Sequence, residues 1–491
     1  MLPCLGVFLF HPFCHHRYIS LVSVLHRRTV RLALIGTSII LATSVIGATP
    51  VIDAETREGG VGVSLFLPIA YHLFAPWCTV WDALTTLSLA QHLALFLTVV
   101  ILFAAWRWHL AQRRVLSWRQ EVRVGIGAFA AYLLVYVAGA LIPRPMAALR
   151  VSDPDDIIVD FHSHTNASWD GRRNFTVAEN RRWHTDAGFD AAYISDHKTL
   201  RGARLAMATN PAHYAGETML LPSVEQRDQD QHVNVIGISP EFLVDPHGEW
   251  HDLPGDTSTY TRTHGPFLIL TLPGDLAALP TNEVHGVVRV AAIEVSDGAP
   301  RGIGQTQRDH ARIVQLADKL RLALVTGSDN HGWGSTAVAW TVLHIPGWRT
   351  MNGTRLDSAI ATTIRTEQHA ATEVYLRNTP NAGGSIVALV LTAPAIAWRL
   401  LVDLQWPSRA AWIGWIAAAA LCAELGSAWS GRRTIIAAPA MQPVREPLPG
   451  APPPKHVLHR KPKRALAIAG SVPPLEERPD DPLSIDDDDL R

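Results

Sequence analysis

The stretch Asp160-Phe161-His162-Ser163-His164-Thr165 follows Ile157-Ile158-Val159, a short apolar run of strand type. Alternate side chains of a strand point the same way, so His162 and His164 project together from its end. Two imidazoles on one side, with Asp160 just before them, suit a divalent metal. A single H-x-H pair arises readily by chance, but three later strand ends repeat the pattern. Ala191–Ser195 runs into Asp196-His197, Met219–Val224 into Glu225, and Leu322–Gly327 into Ser328-Asp329-Asn330-His331. Polar groups converging at the carboxyl ends of successive strands are how a β/α barrel builds an active site.

In chain order the candidate ligands are His162, His164, Asp170, His197, Glu225, His232, Asp329 and His331. A tetrahedral zinc takes four ligands, so this set is too large for one ion. It fits two or three divalent cations sharing a bridging carboxylate, and Glu225, alone at its strand end, is the natural bridge. Mixed imidazole and carboxylate donors accept zinc, manganese or iron.

In order, the motifs are D-F-H-S-H-T, then S-x-D-G at Ser168–Gly171, S-D-H-K-T at 195–199, S-V-E at 223–225 and G-S-D-N-H at 327–331. This series resembles the PHP superfamily, the polymerase-and-histidinol-phosphatase metallohydrolases, over residues 150–335. The stretch Gln231-His232-Val233-Asn234-Val235-Ile236-Gly237 is similar to the branch containing carbaryl hydrolase. The resemblance implies a distorted seven-stranded β/α, TIM-like barrel. It also implies metal ligation by all eight candidates, with catalysis carried by Glu225, Asp329 and His331. The chain departs from the pattern at one point: a His-Pro pair is usual after a middle strand, and here Leu272-Pro273 stands there. One metal site therefore lacks a ligand, or His251, His264 or His285 substitutes.

Cations at such a centre lower the pKa of a bound water, which then attacks phosphorus or a carbonyl carbon. No G-x-S-x-G elbow offers a serine nucleophile. Lys198, Arg201 and Arg227 lie close in sequence to ligands and could hold a phosphate; Arg172 and Arg173, after Asp170, share that position. Phosphoester hydrolysis is the first expectation. Ester or carbamate hydrolysis is the alternative, and a non-catalytic, membrane-tethered metal sensor the third. The expected substrate is a small-molecule phosphoester or ester.

The chain has 491 residues, a net charge of -1 and 48% apolar residues, with no basic stripe of the kind that binds nucleic acid. Charged residues make up 18%, below the ~25% usual in soluble domains. The deficit lies at the two ends. Residues 1–31 read as a leader. Leu32–Thr49, Ala83–Ala105 and Val124–Ile142 are each apolar enough to cross a bilayer as helices, in a membrane region of residues 32–143. Gly60–Trp77, interrupted by Pro68 and Pro76, reads as interfacial. Arginines at 27, 28 and 31, and five between Arg107 and Arg123, mark cytoplasmic loops. Three crossings then put the following domain on the periplasmic or extracellular face of the cytoplasmic membrane. Cys4, Cys14, Cys78 and Cys422 are scattered and give no disulfide framework.

Residues 150–380 return to soluble composition and are long enough for one barrel domain. Strands are expected near 157–161, 191–195, 219–224, 232–238, 267–272, 287–295 and 322–327. Thr176 and Glu179 have capping-box spacing, which predicts a helix to Ala187 closed by Gly188. Arg308–Leu320 reads as another. Gly383–Trp398 and Ala410–Trp429 form a second apolar region, 383–430, read as a helical pair re-entering the membrane. The Pro-rich tail 431–491 reads as disordered.

Overall fold

Apolar strand runs are the frame. Ile157–Phe161, Ala191–Ile194 and Ala323–Val325 are buried along their whole length, as strands covered on both faces must be. The structure, a computed structural model, describes residues 28–112, 117–228, 231–238, 266–272 and 290–436. Met1–Trp429 form one unit and Ser430–Arg491 a second.

The N-terminal region holds helix α1 (Arg28–Ala42), strands β1 (Val51–Asp53) and β2 (Val63–Phe66), and helices α2 (Ile69–Leu73), α3 (Ala75–Thr85), α4 (Leu89–Ala111) and α5 (Trp118–Leu141). Three stretches, Arg28–Val45, Leu89–Leu110 and Trp118–Leu141, are long and apolar enough to span a membrane. The second starts later than Ala83 because Ser88 and Gln91 form a capping box that begins a new helix after α3. Gly60–Trp77 contains β2 and the five-residue α2, not a continuous helix. Arg107 pairs with Glu121 at 2.7 Å and ties α4 to α5 beside their connecting loop.

Next come β3 (Ala148–Val151), β4 (Asp156–Ser163), α6 (Val177–Ala187), β5 (Ala191–Ile194), α7 (Arg201–Ala208), β6 (Met219–Asp228), β7 (Gln231–Ile236) and β8 (Phe267–Leu272). They are followed by β9 (Val290–Asp297), α8 (Pro300–Leu320), β10 (Ala323–Gly327), β11 (Ala339–His344), α9 (Gly353–Glu367) and β12 (Glu373–Arg377). One curled ten-stranded sheet runs β1-β12-β11-β4-β5-β6-β7-β8-β9-β10, where seven strands were expected. The three extra strands lie on one side of β4, where β4, β11, β12 and β1 pair antiparallel. From β4 to β10 there are seven consecutive strands, parallel except where β7 runs against β6 and β8. A parallel bridge from Ser163 to Asn330 links the ends of β4 and β10 across the curl.

Helix α6 matches its signals: Thr176 accepts from the Glu179 amide, and Gly188 closes it at φ 85°. Helix α8 begins at Pro300, eight residues before the expected start, since proline at the first turn loses no hydrogen bond.

The C-terminal helices are α10 (Ile386–Val390), α11 (Thr392–Val402) and α12 (Trp406–Ile436). The second member of the expected pair is this single long helix, which begins before Ala410. It runs antiparallel to α1: Arg409 donates to the Ile40 carbonyl at 2.6 Å, and Thr29 bonds Glu424. Residues 1–27 and 437–491, which hold most of the expected leader and tail, lie outside the described residues.

Candidate metal centre

Strands β4, β5, β6, β7 and β10, with the loops after β4, β5 and β10, bring the eight candidate ligands together; Glu225, expected at a strand end, lies inside β6 because that strand continues to Asp228. His162 Nε2, His164 Nε2, Glu225 Oε2 and Asp329 Oδ1 face one another. His162 lies 3.0 Å from His164, 3.1 Å from Glu225 and 3.5 Å from Asp329. His164 lies 3.3 Å from Glu225 and 3.2 Å from Asp329. Donors bound ~2.1 Å from a common ion at tetrahedral or octahedral angles lie about 3.0–3.4 Å apart, so these atoms fit a shared cation.

A second group adjoins the first. His164, His197 and His331 converge, and the His164 and His331 rings stack with centroids 4.1 Å apart. Asp170 Oδ2 lies 3.3 Å from His197 and 3.2 Å from His331. Glu225 Oε2 also reaches His197 Nδ1 at 3.2 Å, so one carboxylate oxygen touches both groups. Its other oxygen meets His232 Nδ1. His232 pairs across the ladder with Leu272, the leucine at the expected histidine position. His251, His264 and His285 lie outside the described residues.

Local backbone explains the convergence. The β4–β5 register shifts between Asp160 and Ser163. This bulge breaks the simple alternation that would group Asp160 with the two histidines. Asp160 instead accepts from the amides of His162 and Ser328 and meets His184 Nε2 at 2.7 Å. Asp196 caps Thr165 through its amide and hydroxyl. Asp329 has φ 43°, a region that non-glycine residues seldom adopt. Its amide bonds the His162 carbonyl at 2.9 Å, holding the strained loop against β4.

Charge and burial act together here. Burial favours the neutral Glu225 carboxyl, but His162, with hydrogen bonds from His164 and His232, holds it well below the usual carboxylate range. Asp329 is likewise lowered against its burial, chiefly by His162 and His164. Burial opposes charge on His162, yet Glu294, Glu225 and Asp329 raise it well above an ordinary histidine. His164 overcomes the same penalty through Asp329 and Glu225 and reaches about 9. Burial lowers His197. Glu225 and Asp329 thus hold protons on His162 and His164, and a cation bound among these donors would take the place of those protons.

Sequence reasoning missed Glu294 and Asp297. Glu294 Oε1 lies 3.1 Å from His162 Nδ1, behind the ring face that meets Glu225. Glu294 Oε2 and Asp297 Oδ2 are buried with no hydrogen-bond partner among the described residues. Burial pushes the Glu294 carboxyl up to about 8. The signal was a carboxylate inside the apolar run Ala291–Val295, where a buried charge needs a partner. The side chains of Lys198 and Arg201 are exposed and make no recorded contact with the group, and the Arg227 side chain lies outside the described part. Arg172 is nearer the centre: it bonds the Gly332 carbonyl at 3.3 Å and sits over the Trp333 ring.

No family model matches the chain, and no curated protein matches it. Solved structures similar to it include PsfC from Pseudomonas syringae PB-5123, at 17% identity and TM-score 0.29, covering 50% of this chain and 98% of that one. A second is an amidohydrolase from Chromobacterium violaceum with sulfate and no metal, at 14% and 0.27, covering 41% and 96%. A third is a provisionally assigned metal-dependent phosphoesterase from Bifidobacterium adolescentis, at 16% and 0.24, covering 41% and 94%. Similarity of this degree assigns no role to any residue here.

Proposed function

We propose that this chain is a membrane-anchored, metal-dependent phosphoesterase with a PHP-type centre. The observation that carries the reading is Glu225 Oε2, which lies within 3.1–3.3 Å of His162, His164 and His197. A carboxylate oxygen among three imidazoles suits a bridge between two cations. His162, His164 and Asp329 would hold one cation, and His197, His331 and Asp170 the other. Zinc, manganese or iron suits these donors. Bound there, the ions supply Lewis acidity and lower the pKa of water toward neutrality.

The protein groups do the rest. Glu294 accepts the hydrogen bond from His162 Nδ1–H and so turns Nε2 to the centre. Arg172, held on the Asp329–Gly332 loop, is placed to meet a phosphoryl oxygen. His232 keeps 40% of its side chain exposed, more than the other ligand histidines, and can hand a proton to the leaving oxygen.

The membrane reading places this centre at a bilayer surface. Gly334, just past His331, bonds the Ala140 carbonyl at the end of α5, and Gln91 near the start of α4 bonds the Pro380 carbonyl. The sheet thus meets the ends of α4 and α5 opposite the arginine-rich loop. With that loop cytoplasmic, the domain lies outside.

The test uses the full chain in detergent, loaded with zinc or manganese and offered aryl phosphates beside aryl esters. Phosphate turnover that disappears in Glu225→Gln supports the reading. Ester turnover alone shifts it to an ester or carbamate hydrolase. Stoichiometric metal with turnover of neither substrate leaves a sensor.

A further inference from the structure

A cleft of about 1010 Å³ opens where the membrane helices meet the catalytic domain. That is at the top of the ~300–1,000 Å³ range of small-molecule sites. One wall is apolar: Leu89, Leu93 and Phe96 of α4, Leu133 of α5 and Leu389 of α10. Leu89 to Phe96 spans two helical turns, so this wall descends about 10 Å from the head of α4. The other wall is the first turns of α8, with Arg301 and Arg308. Both arginines are exposed, and neither has an ion-pair partner among the described residues. Asp309 is the one acid among the described lining residues.

The position of the cleft gives it meaning. Helix α8 starts three residues after Asp297, at the carboxyl end of β9, and Gly298 bonds the Gly327 carbonyl beside His162 and Asp329. The cleft is therefore joined to the metal centre through the short β9–α8 connection, while none of the eight candidate ligands is among its described lining residues. Its cationic wall lies level with Ser88, where α4 begins and where headgroups would lie if α4 spans. Trp333, 54% exposed, stands next to the Gly334–Ala140 contact, a place suited to an interfacial tryptophan. Ile386 and Val387 of α10 are 78% and 69% exposed beside the same mouth, as lipid-facing residues would be.

We infer that this cleft binds an anionic phospholipid, with an acyl chain along Leu93, Phe96 and Leu133 and its phosphate between Arg301 and Arg308. The inference deepens the phosphoesterase reading: the substrate class becomes a phosphate-bearing lipid delivered laterally from the bilayer. A soluble phosphate ester would use neither the apolar wall nor its depth.

The experiment places the full chain in phosphatidylcholine nanodiscs doped with dioleoyl phosphatidate and counts retained lipids by native mass spectrometry after ejection. This readout does not depend on turnover, so loss of hydrolysis and loss of lipid binding are separate results. The wild-type chain should keep one phosphatidate in preference to phosphatidylcholine. Arg301→Gln with Arg308→Gln should reduce that preference about tenfold or more, the scale of a lost hydrogen bond to a charged group. Leu133→Trp, which fills the cleft from the other wall, should lower retention while leaving both arginines in place. Equal retention in all three proteins marks the lipid as annular and overturns the inference. Displacement of phosphatidate by equimolar inorganic phosphate also overturns it, because the acyl chain then contributes nothing.

Discussion

Glu294 is the residue whose removal separates a metal centre from a cluster of buried charges. Its side chain is fully buried and its Oε1 lies 3.1 Å from His162 Nδ1. Glu294→Ala leaves an imidazole N–H without an acceptor inside the protein, at about 1–3 kcal/mol. It also frees the ring to rotate. Carboxylates behind metal-binding histidines typically contribute 10–100-fold in metal affinity or activity, which is about 1.4–2.7 kcal/mol. Glu294→Gln keeps an oxygen acceptor in the same place, so it should sit near the lower end of that range, with Ala near the upper end. Competition titration of zinc against a chromophoric chelator reads the affinities, and aryl phosphate hydrolysis reads the rates. Wild-type affinity in Glu294→Ala would refute the orienting role. Equal losses in Gln and Ala would show that charge, not ring orientation, is what Glu294 supplies.

Three further outcomes follow from separate features. Gly327→Ala should weaken metal binding, because a Cβ there would stand 2.5 Å from His162 Cβ and 2.6 Å from Glu294 Oε1; unchanged chelator titration would contradict this packing. Asp82 is buried against Arg144 and Arg377, each at 2.9 Å, and accepts from Tyr71 and Thr336. Asp82→Ala strands two guanidinium groups and should cost about 3–5 kcal/mol in thermal or denaturant unfolding, and a loss under ~1 kcal/mol would show the network is solvated. Asp357 accepts from Tyr193 at 2.9 Å, and burial raises its carboxyl to about 7 against ~4 in the unfolded chain. The folded pKa is the higher, so the stability from this group is full below pH ~4 and lost as pH rises through about 7. Asp357→Asn should flatten that decline in melting temperature between pH 4 and 8, and an unchanged slope would assign it elsewhere.

The convergence of the eight candidate residues was legible because each stands directly after, or close to, an apolar run, where alternation and strand direction limit where a side chain can go. Helix α6 was legible to the residue for a similar reason: Thr176 and Gly188 are local signals. What escaped the sequence depends on contacts distant along the chain. Glu294 sits inside a strand, and only the curl of the sheet brings it behind His162. Asp160 shares the parity of His162 and His164, yet a bulge turns it to His184. Strands β1, β11 and β12 are short and form one flank of the sheet, where β1 reaches β12 across more than 300 residues and β11 reaches β4 across about 180. The second span begins at Leu89 because a capping box outweighs a continuous apolar composition. Lys198 and Arg201 were chosen by sequence proximity, which says little about where an exposed side chain points.

The central claim is that Glu225 is shared by two cations. The direct measurement is metal content and magnetic coupling in the manganese-loaded full chain, wild type beside Glu225→Gln. The account requires close to two ions per wild-type chain with an exchange-coupled electron paramagnetic resonance signal. In Glu225→Gln the coupling should vanish and at least one ion should be lost, while far-ultraviolet circular dichroism stays unchanged. A single uncoupled ion in the wild type, or a coupled pair that survives in Glu225→Gln, contradicts it.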